Sequence, residues 1–175
     1  MKRFAFVLAG FTIVLAVAHA QVQKETVEGI TNYAHVQTTV ACAGTVTNDS
    51  VAGIKKMGYA SIINLRLANE KGADIQGETA AAKAAGINFF HIPFNGAMPD
   101  AVVADQFMKT ITTAGNQPAF IHCASGNRAA AMWMIKRVLI DKWENDRAAE
   151  EAAQLGLTNP GLKTFALDYI QSHKK

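Results

Sequence analysis

Cysteine, proline and charge are all scarce in this chain, and each scarcity removes a class of protein. Two cysteines in 175 residues are too few for a scaffold held by disulfides, and no Cys or His pair carries the spacing of a zinc site. Charged residues make up 18%, with 17 Lys and Arg nearly balanced by 14 Asp and Glu. No run of one sign occurs, which excludes a basic nucleic-acid face and an acidic tail. With only four prolines, there is no Pro-rich linker, and neither an internal repeat nor a low-complexity segment is visible. What the chain has instead is hydrophobicity: half its residues are apolar, which is incompatible with disorder and sufficient for a core.

Its one long apolar run stands at the start. Met1-Lys2-Arg3 is a short basic opening, and residues 4–17 are apolar except for Gly10 and Thr12. Ala18-His19-Ala20 then supplies small residues around a cleavage point, the layout of a secretory signal peptide. The run is too short and wrongly flanked for a membrane-spanning helix, although an uncleaved anchor is the alternative. Residues 1–20 are therefore expected to be a signal peptide and 21–175 a single domain, secreted or periplasmic, with no stable membrane insertion. Lys2 and Arg3 supply two of the three net positive charges, so the expected mature protein is close to neutral.

Along the rest of the chain, apolar runs alternate with helical patterns. Strands are expected at 36–41, 59–65, 88–92 and 119–122. Helices are expected at about 51–57, capped by Thr47 or Asn48, and at 78–85, 101–114, 129–142, 144–154 and 162–172. Residues 66–77 read as a polar loop. Val102, Phe107 and Ile111 form the expected inner stripe of the third helix, and Met132, Ile135, Val138 and Leu139 that of the fourth. The connections are long enough for parallel crossovers, so the expected class is α/β, a single domain with a mostly parallel sheet of four to five strands flanked by helices.

The chemistry concentrates in Phe120-Ile-His-Cys-Ala-Ser-Gly-Asn-Arg-Ala129, an apolar strand opening onto a helix. Backbone amides of Ala124, Ser125, Gly126, Asn127 and Arg128 can turn inward around an anion, and the helix N-terminus adds its positive dipole end. Gly126 permits the tight curvature, and Arg128 can present a planar fork to two phosphate oxygens. The same surroundings favour the thiolate of Cys123, which is the nucleophilic form.

These residues, His122-Cys123 with Gly126 and Arg128, resemble the phosphate loop of the dual-specificity and tyrosine phosphatases. The likeness extends to Gly53 through Arg66 and to Gly86 through Pro93, similar to the early helix and strands of that fold, and covers most of 36–140. Within that family the chain resembles the bacterial branch with a shortened loop, the phosphatase domain of beta-lactamase-hydrolase-like proteins. The resemblance implies a phosphatase fold and a phosphocysteine intermediate without a metal or other cofactor. It also implies a phosphorylated small molecule or protein as substrate, of aryl or phosphotyrosine type. Cys123 would be nucleophile, Arg128 the phosphate clamp, and His122 a support for the loop.

The chain departs from that pattern at three points. Four residues separate Cys123 from Arg128 where the common loop has five. Losing one residue, about 3.5 Å of contour, would shrink a closed ring by about 0.5 Å in radius. The position after the arginine, usually Ser or Thr, is Ala129. The general acid expected after the Pro93 strand has no clear counterpart. Asp100 is the candidate, with helix capping as its competing role; Asp105 is expected on an exposed helix face. Rhodanese-type sulfurtransferases resemble this loop in length, so a Cys123 persulfide is one alternative. A weakly active domain that binds phosphorylated ligands is another. Arg66 is expected either to face the same crevice or to pair with Glu70 or Glu78. His91 is expected to be structural. Cys42, at the end of the first expected strand, could approach Cys123 as a redox partner or be simply buried.

Overall fold

Apolar β-branched runs such as Ser-Ile-Ile-Asn and Ala-Phe-Ile-His are each followed by a capped helical stretch, and the chain folds accordingly. The computed structural model describes residues 21–37 and 39–174; the expected signal peptide lies outside them. Six strands form one sheet: β1 Val22–Lys24, β2 Ala34–Val36, β3 Val40–Ala43, β4 Ser61–Asn64, β5 Asn88–His91 and β6 Ala119–His122. Their spatial order is β1-β2-β3-β6-β4-β5. The pairs β3–β6, β6–β4 and β4–β5 are parallel, whereas β1–β2 and β2–β3 are antiparallel. The helices are α1 Val51–Lys56, α2 Ile75–Ala85, α3 Ala101–Thr112, α4 Asn127–Leu139, α5 Asn145–Gln154 and α6 Pro160–His173. Among the described residues no helix is long and apolar enough to cross a membrane.

The sheet divides the core because successive side chains of a strand face opposite ways. Ile121 and Cys123 join Cys42, Ile63 and Leu65 beneath α3, α4, α5 and α6. Phe120 joins Ala41, Ala43 and Ile62 on the other face, against Val51, Ile54 and Ala82 of α1 and α2. α4 is buried along nearly its whole length. Even Lys136 and Arg137 lie inside, neutralised by Asp141 and Glu151 at 2.7–3.0 Å. Trp133 donates to the same Glu151 carboxylate at 2.7 Å.

Several sequence expectations need correction. The single strand expected at 36–41 is a hairpin, because Gln37 adopts φ 43° and turns the chain between β2 and β3. β1 is three residues with little apolar signal, and together these changes raise the sheet to six strands. α2 starts at Ile75, inside the expected loop, where the Asp74 carboxylate accepts from Gly77 N at 2.9 Å. Val102 points outward at 68% exposure, and Ala104 takes its place beside Phe107 and Ile111. α4 begins at Asn127, two residues early, and ends at Leu139, which is only partly buried.

Candidate active site

β6 is one of the two inner strands of the parallel set, and the loop after it emerges at the carboxyl ends of the strands, where α/β folds place their sites. Cys123 N–H donates to Ala43 O at 3.2 Å, so the strand ladder holds the cysteine to its last atom. The chain then turns through Ala124 and Ser125 to Gly126, which caps α4 with φ 96°. Only glycine enters that left-handed region without strain. Its amide points back and donates to Cys123 Sγ at 3.1 Å. Asn127 and Arg128 form the first turn of α4, so the thiol sits against the helix N-terminus with one amide already directed at it.

Arg128 uses one edge of its guanidinium for the protein. Nη1 donates to Leu65 O, Phe94 O and Glu70 Oε1 at 3.0, 2.8 and 2.6 Å, and Nη2 to Glu70 Oε2 at 2.9 Å. Nε–H and the second Nη2 hydrogen have no protein hydrogen-bond partner among the described residues, and the Cys123 sulfur is near enough to favour the charge. Burial works against the charge of Arg128, but Glu70 and the Cys123 sulfur outweigh it and hold the proton more firmly than usual. Burial likewise works against ionised Glu70. Hydrogen bonds from Arg128, Leu67 N–H and Arg66 prevail and lower its carboxyl to about 2. Arg66 belongs to this same cluster: it reaches Glu70 at 3.4 Å and is fixed by the carbonyls of Gly72 and Lys71. The sequence suggested Glu70 only as a partner for Arg66, four residues before it. Its grip on Arg128, 58 residues away, has no local signal.

Above Arg128 lies a cleft of about 300 Å³ whose walls include Glu70, Asn95, Gly96, Ser125, Asn127 and Asn159. Cys123 itself has no exposed surface. Among the described residues Glu70 is the only carboxylate on the cleft wall, and it is held ionised. Asp100 does not line the cleft. It is exposed at the N-terminus of α3, where its carboxylate accepts from Val102 N at 2.9 Å. Asp105 is also exposed and accepts from Tyr169 OH.

His122 faces away from the loop, on the α2 side of the sheet. Its Nε2 lies 2.8 Å from Glu78 Oε1 but off the line of a hydrogen bond, and its Nδ1 has no partner among the described residues. Asn64 donates to the other Glu78 oxygen at 2.7 Å. His91 donates to Arg66 O at 2.8 Å, a structural contact. Asn127 was expected to offer its amide. Its side chain does more, accepting from the amides of Thr158 and Asn159 at 2.7 and 2.8 Å.

Cys42 and Cys123 are both free thiols. Cys42 pairs with Ile121 across β3–β6, one diagonal step from Cys123 on the same face. Strand spacing and rise place such Cα atoms about 8 Å apart, beyond the usual disulfide range of up to about 7 Å. Burial, with the charges of Cys123 and Glu151, pushes the Cys42 thiol well above its ordinary range. Bridging the two would require the backbone to move.

A family model described as the phosphatase-like domain of beta-lactamase hydrolase-like protein matches residues 32–140. A beta-lactamase hydrolase-like protein of Xylella fastidiosa (strain Temecula1 / ATCC 700964) is 30% identical over 111 residues, covering 61% of this chain and 25% of that protein. The match thus spans a quarter of the curated relative. Among solved structures, a DUF442 protein of Shewanella putrefaciens CN-32 superposes with a TM-score of 0.71 at 17% identity, over 85% of this chain and 97% of that one. P. aeruginosa TpbA gives 0.65 at 17% identity, over 91% and 94%. The core catalytic domain of the PP-IP phosphatase SIW14 of S. cerevisiae gives 0.65 at 17%, over 85% and 89%. At these identities the structural likenesses establish the fold. The family match runs from just before β2 to the end of α4, across both the strand that carries Cys123 and the helix that carries Arg128: the chain belongs to the family of beta-lactamase hydrolase-like phosphatase-like domains.

Proposed function

We propose that the protein is a cysteine-dependent hydrolase of phosphate monoesters, with aryl esters as its preferred class. The observation that carries this reading is the two-edged use of Arg128: Glu70 fixes one edge, and the free edge lies beside a thiol at a helix N-terminus. A phosphoryl group over Cys123 would receive two parallel hydrogen bonds from Arg128 and further ones from the loop amides. The thiolate attacks phosphorus, an S–P bond forms, and the ester P–O bond breaks with release of the phenolate. Water then cleaves the S–P bond, returning the thiolate and inorganic phosphate. A proton delivered to the leaving oxygen is typically worth 10²–10⁴-fold, and among the described residues the cleft wall offers no protonated carboxyl to deliver it. Phenolates need that help far less than alkoxides, hence the aryl preference. The signal-like segment 1–20 supports a secreted or periplasmic location for the mature chain.

Release of phosphate from phenyl phosphate tests the reading. Cys123→Ser should abolish turnover with the fold intact, and Arg128→Lys should remove most of it, because an ammonium cannot make the bidentate contact. Wild-type rates in the serine variant would end the phosphocysteine mechanism.

A second reading rests on a different observation, the full burial of Cys123 within a loop of only six residues from nucleophile to arginine. One added sulfur atom needs less room than a tetrahedral phosphoryl group. In that reaction the thiolate attacks the outer sulfur of thiosulfate, the S–S bond breaks, sulfite leaves, and Cys123 holds a persulfide. Cyanide would then take the outer sulfur as thiocyanate. Thiocyanate production without phosphate release would make this the correct chemistry.

A further inference from the structure

The amide that Gly126 directs at Cys123 Sγ belongs to the same peptide unit as the carbonyl of Ser125. A trans peptide is planar, with N–H and C=O pointing in opposite directions, so whatever holds that oxygen also aims the hydrogen. Gly126 does not hold the unit by itself, because glycine takes either sign of φ at little cost. A half-turn of this peptide would remove the donor from the sulfur, 3.1 Å away, and set a carbonyl oxygen against the anion instead. One side chain from outside the loop meets that oxygen. Asn32 Nδ2 donates to Ser125 O at 3.3 Å, from 93 residues earlier in the chain.

Asn32 is itself firmly placed. It holds φ 50°, a left-handed conformation in which asparagine is enriched, and the residues on either side are anchored. Thr31 N–H donates to Thr45 O at 3.0 Å, Thr31 O accepts from Gly44 N at 2.7 Å, and Thr31 Oγ1 accepts from Thr45 N at 2.7 Å. Tyr33 is buried, with its hydroxyl 2.9 Å from that of Tyr59. Gly44 also forms an antiparallel bridge with Ser125 itself, and a Cβ there would press on Thr31 and on Ala124 O. The segment carrying Asn32 and the phosphate loop are thus joined through one glycine. Asn32 lines a groove of about 750 Å³ that shares Ser125 and Asn127 with the cleft, but it is not a wall of the cleft. It reaches the loop from the flank away from the substrate.

We infer that Asn32 is a positioning residue for the nucleophile: by holding the Ser125 carbonyl it keeps the Gly126 N–H on the Cys123 sulfur and a repelling oxygen out of the anion site. The inference rests on Cys123 acting as a thiolate, and it serves phosphoryl and sulfur transfer alike. Among the described residues, the titratable and charged groups around the sulfur are Arg128 on α4, its partner Glu70, and Cys42 on β3. Asn32 bonds to the loop backbone and to none of these, so its replacement tests the peptide alone.

Two variants of the full protein decide it. Asn32→Gly removes the side-chain amide and still accepts positive φ. Asn32→Asp keeps the shape and puts an acceptor where the donor was, which answers the question if the glycine variant folds poorly. The readout is the ultraviolet absorbance of the Cys123 thiolate, taken against the matching protein with Cys123→Ser. In both variants it should appear about one pH unit higher than in the wild type. With phenyl phosphate, kcat/KM should fall about tenfold in acid, the counterpart of that one unit, and recover as the pH rises. A loss of stability alone moves neither reading. A thiolate that titrates as in the wild type, in either folded variant, would overturn the inference even if activity has dropped. If the wild type hydrolyses no ester, the phosphatase reading fails by itself, and the absorbance titration still decides the role of Asn32.

Discussion

Arg128 shows what a single side chain must do at once. It carries a buried charge, which needs a partner, and it must still keep a face for the substrate. Glu70 resolves the conflict by taking only the Nη1–Nη2 edge. Glu70→Gln keeps the size but removes the charge that aligns the fork, and hydrogen bonds to charged groups are worth about 1.5–3 kcal/mol. The expected result is a fall in kcat/KM on phenyl phosphate of roughly 10- to 100-fold, with an unchanged circular dichroism spectrum. The same pair has a pH signature. Glu70 is lowered from 4.5 to about 2 in the folded chain, so the unfolded chain binds its proton more readily. Its contribution to stability is therefore complete above about 4.5 and is lost as the pH falls toward 2. Urea melts should show the wild type losing its advantage over Glu70→Gln within that window. Parallel curves would remove Glu70 from the acid response.

At the scale of elements, the loop and the cap of α3 separate two kinds of residue. Gly126 holds φ 96°, a region that costs a residue with a Cβ about 1–2 kcal/mol. Gly126→Ala should lower stability by about that amount and should also swing the amide away from Sγ, so activity falls further than stability does. Asp100 is different. As an N-cap, its change to Ala should cost about 1 kcal/mol and slow alkyl and aryl esters equally. A selective loss on alkyl esters would make it the proton donor instead. The strand-loop-helix frame and most core faces could be read from periodicity and caps. The β2–β3 hairpin could not, because Gln37 carries no turn signal, and the β-branched residues on either side of it, Val36 and Thr38-Thr39-Val40, look like one strand. Arg128's clamp was equally hidden. Its partners come from two separate connections, Leu65 O and Glu70 from the one between β4 and α2 and Phe94 O from the one between β5 and α3, and sequence spacing cannot show which loops meet.

The molecule as a whole is larger than its family match. Residues 32–140 contain the loop, but α5 and α6 cover the buried helix α4, contributing Ala148, Ala152, Leu155, Leu162, Ala166 and Ile170 to the core. Asn159 and Leu162 also wall the cleft. Truncation after Ile140 should therefore expose the apolar face of α4 and remove Asp141 and Glu151, the carboxylate partners of Lys136 and Arg137. The expected product shows no cooperative thermal transition; a sharp melt would mean that the matched region folds unaided. Order of synthesis follows from the same anatomy. Asn127, one residue before the clamp, accepts from the amides of Thr158 and Asn159, at the start of α6. The loop around Cys123 can therefore complete its hydrogen bonds only after residues 158 and 159 have been made, more than thirty residues after the cysteine itself.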